Sequence, residues 1–308
     1  MMKTTISVLA LFAASPVFAQ STCDLVRFSD VGWTDITANS AAVSLMLNAM
    51  GYETTTDILS VPVTYASMAE GDIDVFLGNW MPTMEGDIAT YRDAGTVDTV
   101  RTNLEGAKYT LATNAAGVAA GITDFASIAQ ASEALDGKIY GIEAGNDGNR
   151  LISDMITTDA FGLKDFEIVE SSEQGMLAQV ERAEERGEAI VFLGWEPHPM
   201  NANFDMTYLT GGDDYFGPNL GGATVATNTR AGYVTECPNV GKMLQNMVYT
   251  LPMENELMAL ILDDGMDPTD AAKQWLAANP TIWTPWLDGV TTKDGGDAVA
   301  AVTAALAM

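Results

Sequence analysis

Hydrophobic and polar positions along this chain follow two periods that trade places repeatedly. Segments with the length and pattern of strands stand at Leu25 to Phe28, Thr54 to Leu59, Ile73 to Leu77, Tyr109 to Thr113, Lys138 to Glu143, Phe166 to Glu170, Ala189 to Leu193 and Ala223 to Thr227. Between them lie segments at helical spacing. One runs from about Asn39 to Met50, with Ala42, Leu45, Met46 and Ala49 on one face; others cover Met84 to Asp93 and Asn149 to Ala160. Ser171 and Gln174 are spaced as a capping box opening a helix that ends at Gly187. Strands alternating with helices predict an α/β fold. After Gly211-Gly212-Asp213-Asp214 and the strand at Ala223, three helical patterns follow. The last has Asp267 as N-cap and Pro268 at its first position. Trp275, Trp283 and Trp286 in this region read as core.

Two strand ends nearly repeat each other. Phe76-Leu77-Gly78-Asn79-Trp80-Met81-Pro82 and Phe192-Leu193-Gly194-Trp195-Glu196-Pro197 each run from a buried strand through Gly to an exposed Trp and then Pro. The carboxyl ends of strands are where open α/β sheets bind ligands. Two such ends suggest two similar lobes facing one cleft. The layout predicts lobe one from residue 20 to about 104 together with about 213 to 308. Lobe two is the insert from 105 to 212, with two chain crossings as the hinge.

The first nineteen residues read as a cleavable signal peptide. Met1-Met2-Lys3 is a short basic start, Ile6 to Phe18 an apolar stretch, and Val17-Phe18-Ala19 a small-x-small cleavage site. The mature protein is therefore expected to be exported. The formal charge of −28, from 42 acidic residues against 14 Lys and Arg, argues against nucleic acid or an anionic membrane as partner. An exported chain with two cysteines, Cys23 and Cys237, favours a disulfide, with two free thiols as the alternative. Closing so long a loop stabilises by roughly 4–5 kcal/mol in the chain-entropy model.

The aromatic residues carry the chemistry. A quaternary ammonium donates no N–H hydrogen bond, so ring faces hold it better than salt bridges, at roughly 0.5–2 kcal/mol per ring. The candidate rings are Trp33, Trp80, Tyr109 and Trp195. Asp35 lies two residues after Trp33, placed to offset a positive charge or accept a hydroxyl proton. Asn146 and Asp147 stand at a strand-to-helix junction, where Asn146 serves either as a ligand contact or as a helix cap.

Phe28-Ser29-Asp30-Val31-Gly32-Trp33-Thr34-Asp35, Gly78-Asn79-Trp80-Met81-Pro82, Gly145-Asn146-Asp147-Gly148 and Gly194-Trp195-Glu196-Pro197-His198 resemble the periplasmic substrate-binding proteins of glycine betaine/choline-type ABC importers. The resemblance implies a type II periplasmic-binding-protein fold that closes on its ligand and hands it to an inner-membrane permease. In the family's choline-binding members three Trp and one Tyr surround the trimethylammonium group. By motif these fall on Trp33, Trp80, Tyr109 and Trp195, with Asp35 and Asn146 as the polar contacts. The resemblance also implies the Cys23–Cys237 pair.

Choline is the expected ligand. Glycine betaine, carnitine or trimethylamine oxide is the alternative within the binding class, but a betaine carboxylate calls for cationic donors or clustered N–H groups. Asp35, Glu196 and Asp147 stand near the motifs, while Arg150 and Lys108 are the nearest cations in sequence. A small-amine hydrolase is the alternative of another class. With His198 as the only histidine and no nucleophile elbow or P-loop, enzymatic machinery is not expected. No cofactor or metal is expected, and the protein is expected to act as a monomer in the periplasm.

Overall fold

The computed structural model describes residues 23–307. The signal peptide read at residues 1–19 lies outside the described residues. One mixed sheet runs through the molecule. Its strands are β1 (Leu25–Asp30), β2 (Glu53–Ile58), β3 (Val75–Met81), β4 (Val97–Asn114), β5 (Lys138–Tyr140), β6 (Glu167–Val169), β7 (Val191–Glu196), β8 (Met206–Tyr208) and β9 (Gly222–Arg230). Their order is β2-β1-β3-β9-β4-β7-β5-β6, with β8 paired to β4. β1 pairs β2 and β3 in parallel, and β5 pairs β6 and β7 in parallel. β9 and β4 join these two halves by antiparallel pairing.

β4 is the structural bridge. The expected strand at Tyr109 to Thr113 is the last part of an 18-residue strand that begins at Val97. From Val97 to Lys108 it pairs with β9, and from Lys108 to Thr113 with β7. The first stretch escapes a periodicity reading because its register slips three times between Thr99 and Ala107, which breaks the two-residue alternation.

Helices cover the sheet, and three of them matter for the site. α1 (Thr34–Ala49) starts five residues before the expected Asn39 and is buried along much of its length, with Val43, Met46 and Leu47 in the core. α2 (Asp147–Thr157) is capped by Asn146, whose Oδ1 accepts the Asn149 N–H at 3.0 Å. α3 (Glu173–Arg186) is capped by Ser172, whose Oγ accepts the Gly175 N–H at 3.0 Å. The expected Ser171–Gln174 capping box does not form. Capping from Ser172 puts Glu173 at the first helical position, where its carboxylate turns inward rather than closing a box. Toward the C-terminus, the helix Pro268–Ala278 is capped by Asp267 as expected. Trp275, Trp283 and Trp286 are buried core residues. Cys23 and Cys237 form a disulfide, tying the chain ahead of β1 to a segment 214 residues later.

Candidate functional site

The two repeated strand ends converge. Trp80 leaves β3 and Trp195 leaves β7, and each strand finishes at an X-Pro bond in the cis form, Met81-Pro82 and Glu196-Pro197. Tyr109 on β4 is the direct cross-strand partner of Trp195. Its ring meets Trp195 edge-on at 6.3 Å between centroids and Trp80 at 6.1 Å. Trp33, the N-cap residue of α1, supplies a fourth ring. These four rings, with Asp35, Asn146 and Ile142, line a small cavity. The rings are only 3–6% exposed, so the cavity is shut from solvent on most sides.

Neighbouring groups fix each ring. The Trp80 indole N–H donates to Asp35 Oδ2 at 3.2 Å. The Trp33 indole N–H donates to Glu143 Oε1 at 2.9 Å. The Tyr109 hydroxyl donates to Asn146 Oδ1 at 3.0 Å, and the Phe216 ring meets Tyr109 edge-on at 5.8 Å. Gly148 is required here for space, since a Cβ on it would stand 2.1 Å from the Tyr109 hydroxyl. Asn146 therefore caps α2 and also lines the cavity.

Asp147 does not line the cavity. It stands behind Asn146, accepting that residue's side-chain N–H at 3.2 Å on Oδ1. Being the first residue of α2, its side chain turns back into the protein. Burial pushes its carboxyl up to about 6, against a lowering hydrogen bond from Thr83. Three residues not singled out as site residues from the sequence shape the site. Ile142 adds an apolar wall. Glu143 holds Trp33. Asn149 straps the chain between them, its amide donating to Ile142 O and Glu143 O while its Oδ1 accepts the Ile142 N–H.

The electrostatics are one-sided. Among the described residues, Asp35 is the only charged side chain lining the cavity. Its Oδ1 is buried and has no hydrogen-bond partner among the described residues. Burial, with the nearby Glu173 charge second, pushes its carboxyl up to about 7. Burial likewise pushes Glu143 up to about 7. The two cations closest to the motifs in sequence are already engaged, Arg150 with Asp87 at 2.9 Å and Lys108 with Glu196 at 2.6 Å. A walled space with four ring faces and one unpartnered carboxylate oxygen favours a small organic cation.

A mixed sheet in two halves, joined by β4 and β9 and enclosing such a cavity, is the architecture of a periplasmic binding protein. Residues 24–278 match the substrate binding domain of the ABC-type glycine betaine transport system, and the chain belongs to that family. It is 67% identical to an ABC-transporter choline binding protein solved in complex with choline, with TM-score 0.92 over 93% of this chain and 99% of that one. The unliganded, semi-closed form of an ABC-transporter choline binding protein, also 67% identical, superposes with TM-score 0.86 over 93% of this chain and all of that one. Lactococcal OpuAC, closed and complexed with glycine betaine, is 25% identical, with TM-score 0.75 over 85% of this chain and 98% of that one.

Proposed function

We propose that this protein captures choline in the periplasm and delivers it to the permease of an ABC importer. The trimethylammonium group sits between Trp33, Trp80, Tyr109 and Trp195, and the hydroxyl donates to Asp35 Oδ1. The observation that carries this reading is the charge of the cavity wall, where an acid is the only charged side chain among the described residues. Glycine betaine would bring its own carboxylate to that acid, with Arg150 and Lys108 already held by Asp87 and Glu196. At about 0.5–2 kcal/mol per ring, four rings and a carboxylate reach micromolar affinity, near −8 kcal/mol.

Two lobes, residues 20–104 with 213–308 and residues 105–212, close on the ligand about β4 and the return of the chain at β9. Phe216 packs on Tyr109 and Phe125, which favours placing the second crossing at the start of β9 instead of at residue 213. The better superposition on the choline-bound relative than on the semi-closed one supports reading this structure as the closed form. The protein is a receptor and not a catalyst, works as a monomer and needs no cofactor. His198 is committed to structure: its Nδ1 accepts the Met200 N–H at 2.9 Å, so its proton lies on Nε2, facing Glu173.

Calorimetric titration of the mature protein with choline, glycine betaine and trimethylamine oxide tests the reading. Choline is expected to bind at micromolar Kd or tighter, and the other two at least tenfold more weakly. Tighter binding of glycine betaine, or silence with all three, contradicts it. Trp80→Ala and Trp195→Ala are each expected to weaken choline binding by up to about 2 kcal/mol, roughly thirtyfold.

A further inference from the structure

α1 has no cap of its own. Its N-cap residue is Trp33, whose side chain makes no capping hydrogen bond. A helix that begins inside a protein needs partners for those donors. Here one comes from the other half of the molecule. Glu173 Oε2 accepts the Thr34 N–H at 2.9 Å, and Glu173 Oε1 accepts the Thr34 hydroxyl.

Glu173 is itself the first residue of α3, so its buried carboxylate lies between the N-terminal ends of two helices, both of which favour negative charge. His198 Nε2 donates to Oε1 at 3.3 Å from Glu173's own half. Next door, Trp33 gives its indole N–H to Glu143, again across the cleft. Two consecutive residues of one half are thus gripped by two carboxylates of the other, and one of the two is a wall of the cavity.

We propose that Glu173 is a cross-cleft cap for α1 and that, with Glu143, it forms the latch that sets how slowly the closed cavity reopens. Opening the lobes parts Glu173 from both Thr34 donors and leaves the start of α1 uncapped. It also parts Glu143 from the Trp33 indole, the ring that a bound ligand touches. Glu173 and Glu143 are positioning residues that need not touch the ligand. They act after the ligand has entered, so they govern dissociation and leave capture unchanged. The proposal rests on reading the cavity as a site that closes on a ligand.

Two measurements on the mature protein test it. Stopped-flow tryptophan fluorescence with choline reads association and dissociation separately. Glu173→Gln is expected to speed dissociation at least tenfold with association unchanged within twofold, and Glu143→Ala to speed it at least threefold. Thr34→Val removes only the hydroxyl bond and should give a smaller rise, whereas Thr34→Ser should restore the wild-type rate. Hydrogen exchange at the Thr34 amide reads the cap without any ligand and should lose protection in Glu173→Gln. Wild-type dissociation rates and intact Thr34 protection in Glu173→Gln overturn the latch. If Glu173→Gln does not fold, an unchanged rate in both Thr34→Val and Glu143→Ala does so. A wild-type protein that ignores choline, yet loses Thr34 protection in Glu173→Gln, keeps the cap and refutes the choline reading instead.

Discussion

Two buried aspartates, Asp74 and Asp35, stand in the same half of the molecule and are treated in opposite ways. Asp74 is enclosed by cations. Its oxygens accept the backbone and side-chain N–H groups of Arg27 at 2.8–3.0 Å and the Arg230 Nε at 2.7 Å. Asp35, equally hidden, accepts one indole N–H on Oδ2 and leaves Oδ1 without a partner among the described residues. Burying a charge is costly unless it is paired. Asp74 is paired by its own chain and holds the end of β9 to the start of β3. Among the described residues no cation lines the cavity beside Asp35, and on the proposed reading its counter-charge is the ligand's. A structural carboxylate and a carboxylate proposed to read a ligand would then differ in who supplies the counter-charge.

Removing each acid separates the two roles. Asp74→Asn strands two arginines and is expected to lower unfolding stability by about 3 kcal/mol while choline affinity stays within twofold. Denaturant melts and calorimetry check both, and a loss of stability below about 1 kcal/mol breaks the comparison. Asp35→Asn keeps the acceptor for Trp80 and removes an uncompensated charge. Choline binding is expected to weaken by about 2 kcal/mol, roughly thirtyfold. The ligand-free protein at pH 8 should gain about 1 kcal/mol of stability. A destabilised Asp35→Asn protein contradicts the contrast.

Gly148→Ala tests the ring opposite. A methyl group would meet the Tyr109 hydroxyl at 2.1 Å, so the ring must shift away from the cage. Choline affinity is expected to fall about tenfold, or about 1.4 kcal/mol, with Trp80 and Trp195 intact. Unchanged affinity would mean that Tyr109 is not a working wall.

The smallest effect is on pH. Burial pushes Asp35 and Glu143 up to about 7 and Asp147 up to about 6, above the ordinary carboxylate range. Glu173 adds negative charge beside both Asp35 and Glu143, and Asp30 beside Asp35, while burial and the Asp35 charge push Glu254 up, and His198 faces Glu173. Groups whose values rise on closing take up protons as the cavity shuts. Empty closure is therefore disfavoured above pH 7 and gains as pH falls from 8 toward 5. A bound cation keeps Asp35 ionised and removes its share of that dependence. Small-angle scattering should show the ligand-free protein contracting over this range, with a smaller change in excess choline. Expansion of the ligand-free protein on acidification contradicts the sign.

The cage and the latch were not equally visible in the residues. Trp80 and Trp195 announce themselves because the strand-Gly-Trp-Pro context occurs twice. Trp33, Asp35 and Asn146 are candidates from their places after a strand or at a strand-to-helix junction, and the resemblance points to the same residues; Tyr109, also a candidate from the sequence, is seen to pair with Trp195 only when β4 is paired with β7. Glu173 could not be found this way. An acid in the first turn of a helix reads as local dipole compensation, and only the fold brings it to Thr34, 139 residues earlier. Glu143 was hidden for a similar reason. It looked like the end of a strand, whereas β5 stops at Tyr140 and Asn149 holds the following residues against the cavity. The off-by-one cap at Ser172 shows the same limit, since local spacing cannot tell which residue turns inward.

The most direct test of the cage is a crystal structure of the mature protein grown with choline. The account predicts the trimethylammonium group between the rings of Trp33, Trp80, Tyr109 and Trp195, with the hydroxyl on Asp35 Oδ1. Choline bound elsewhere, or inside with its hydroxyl turned away from Asp35, would contradict it.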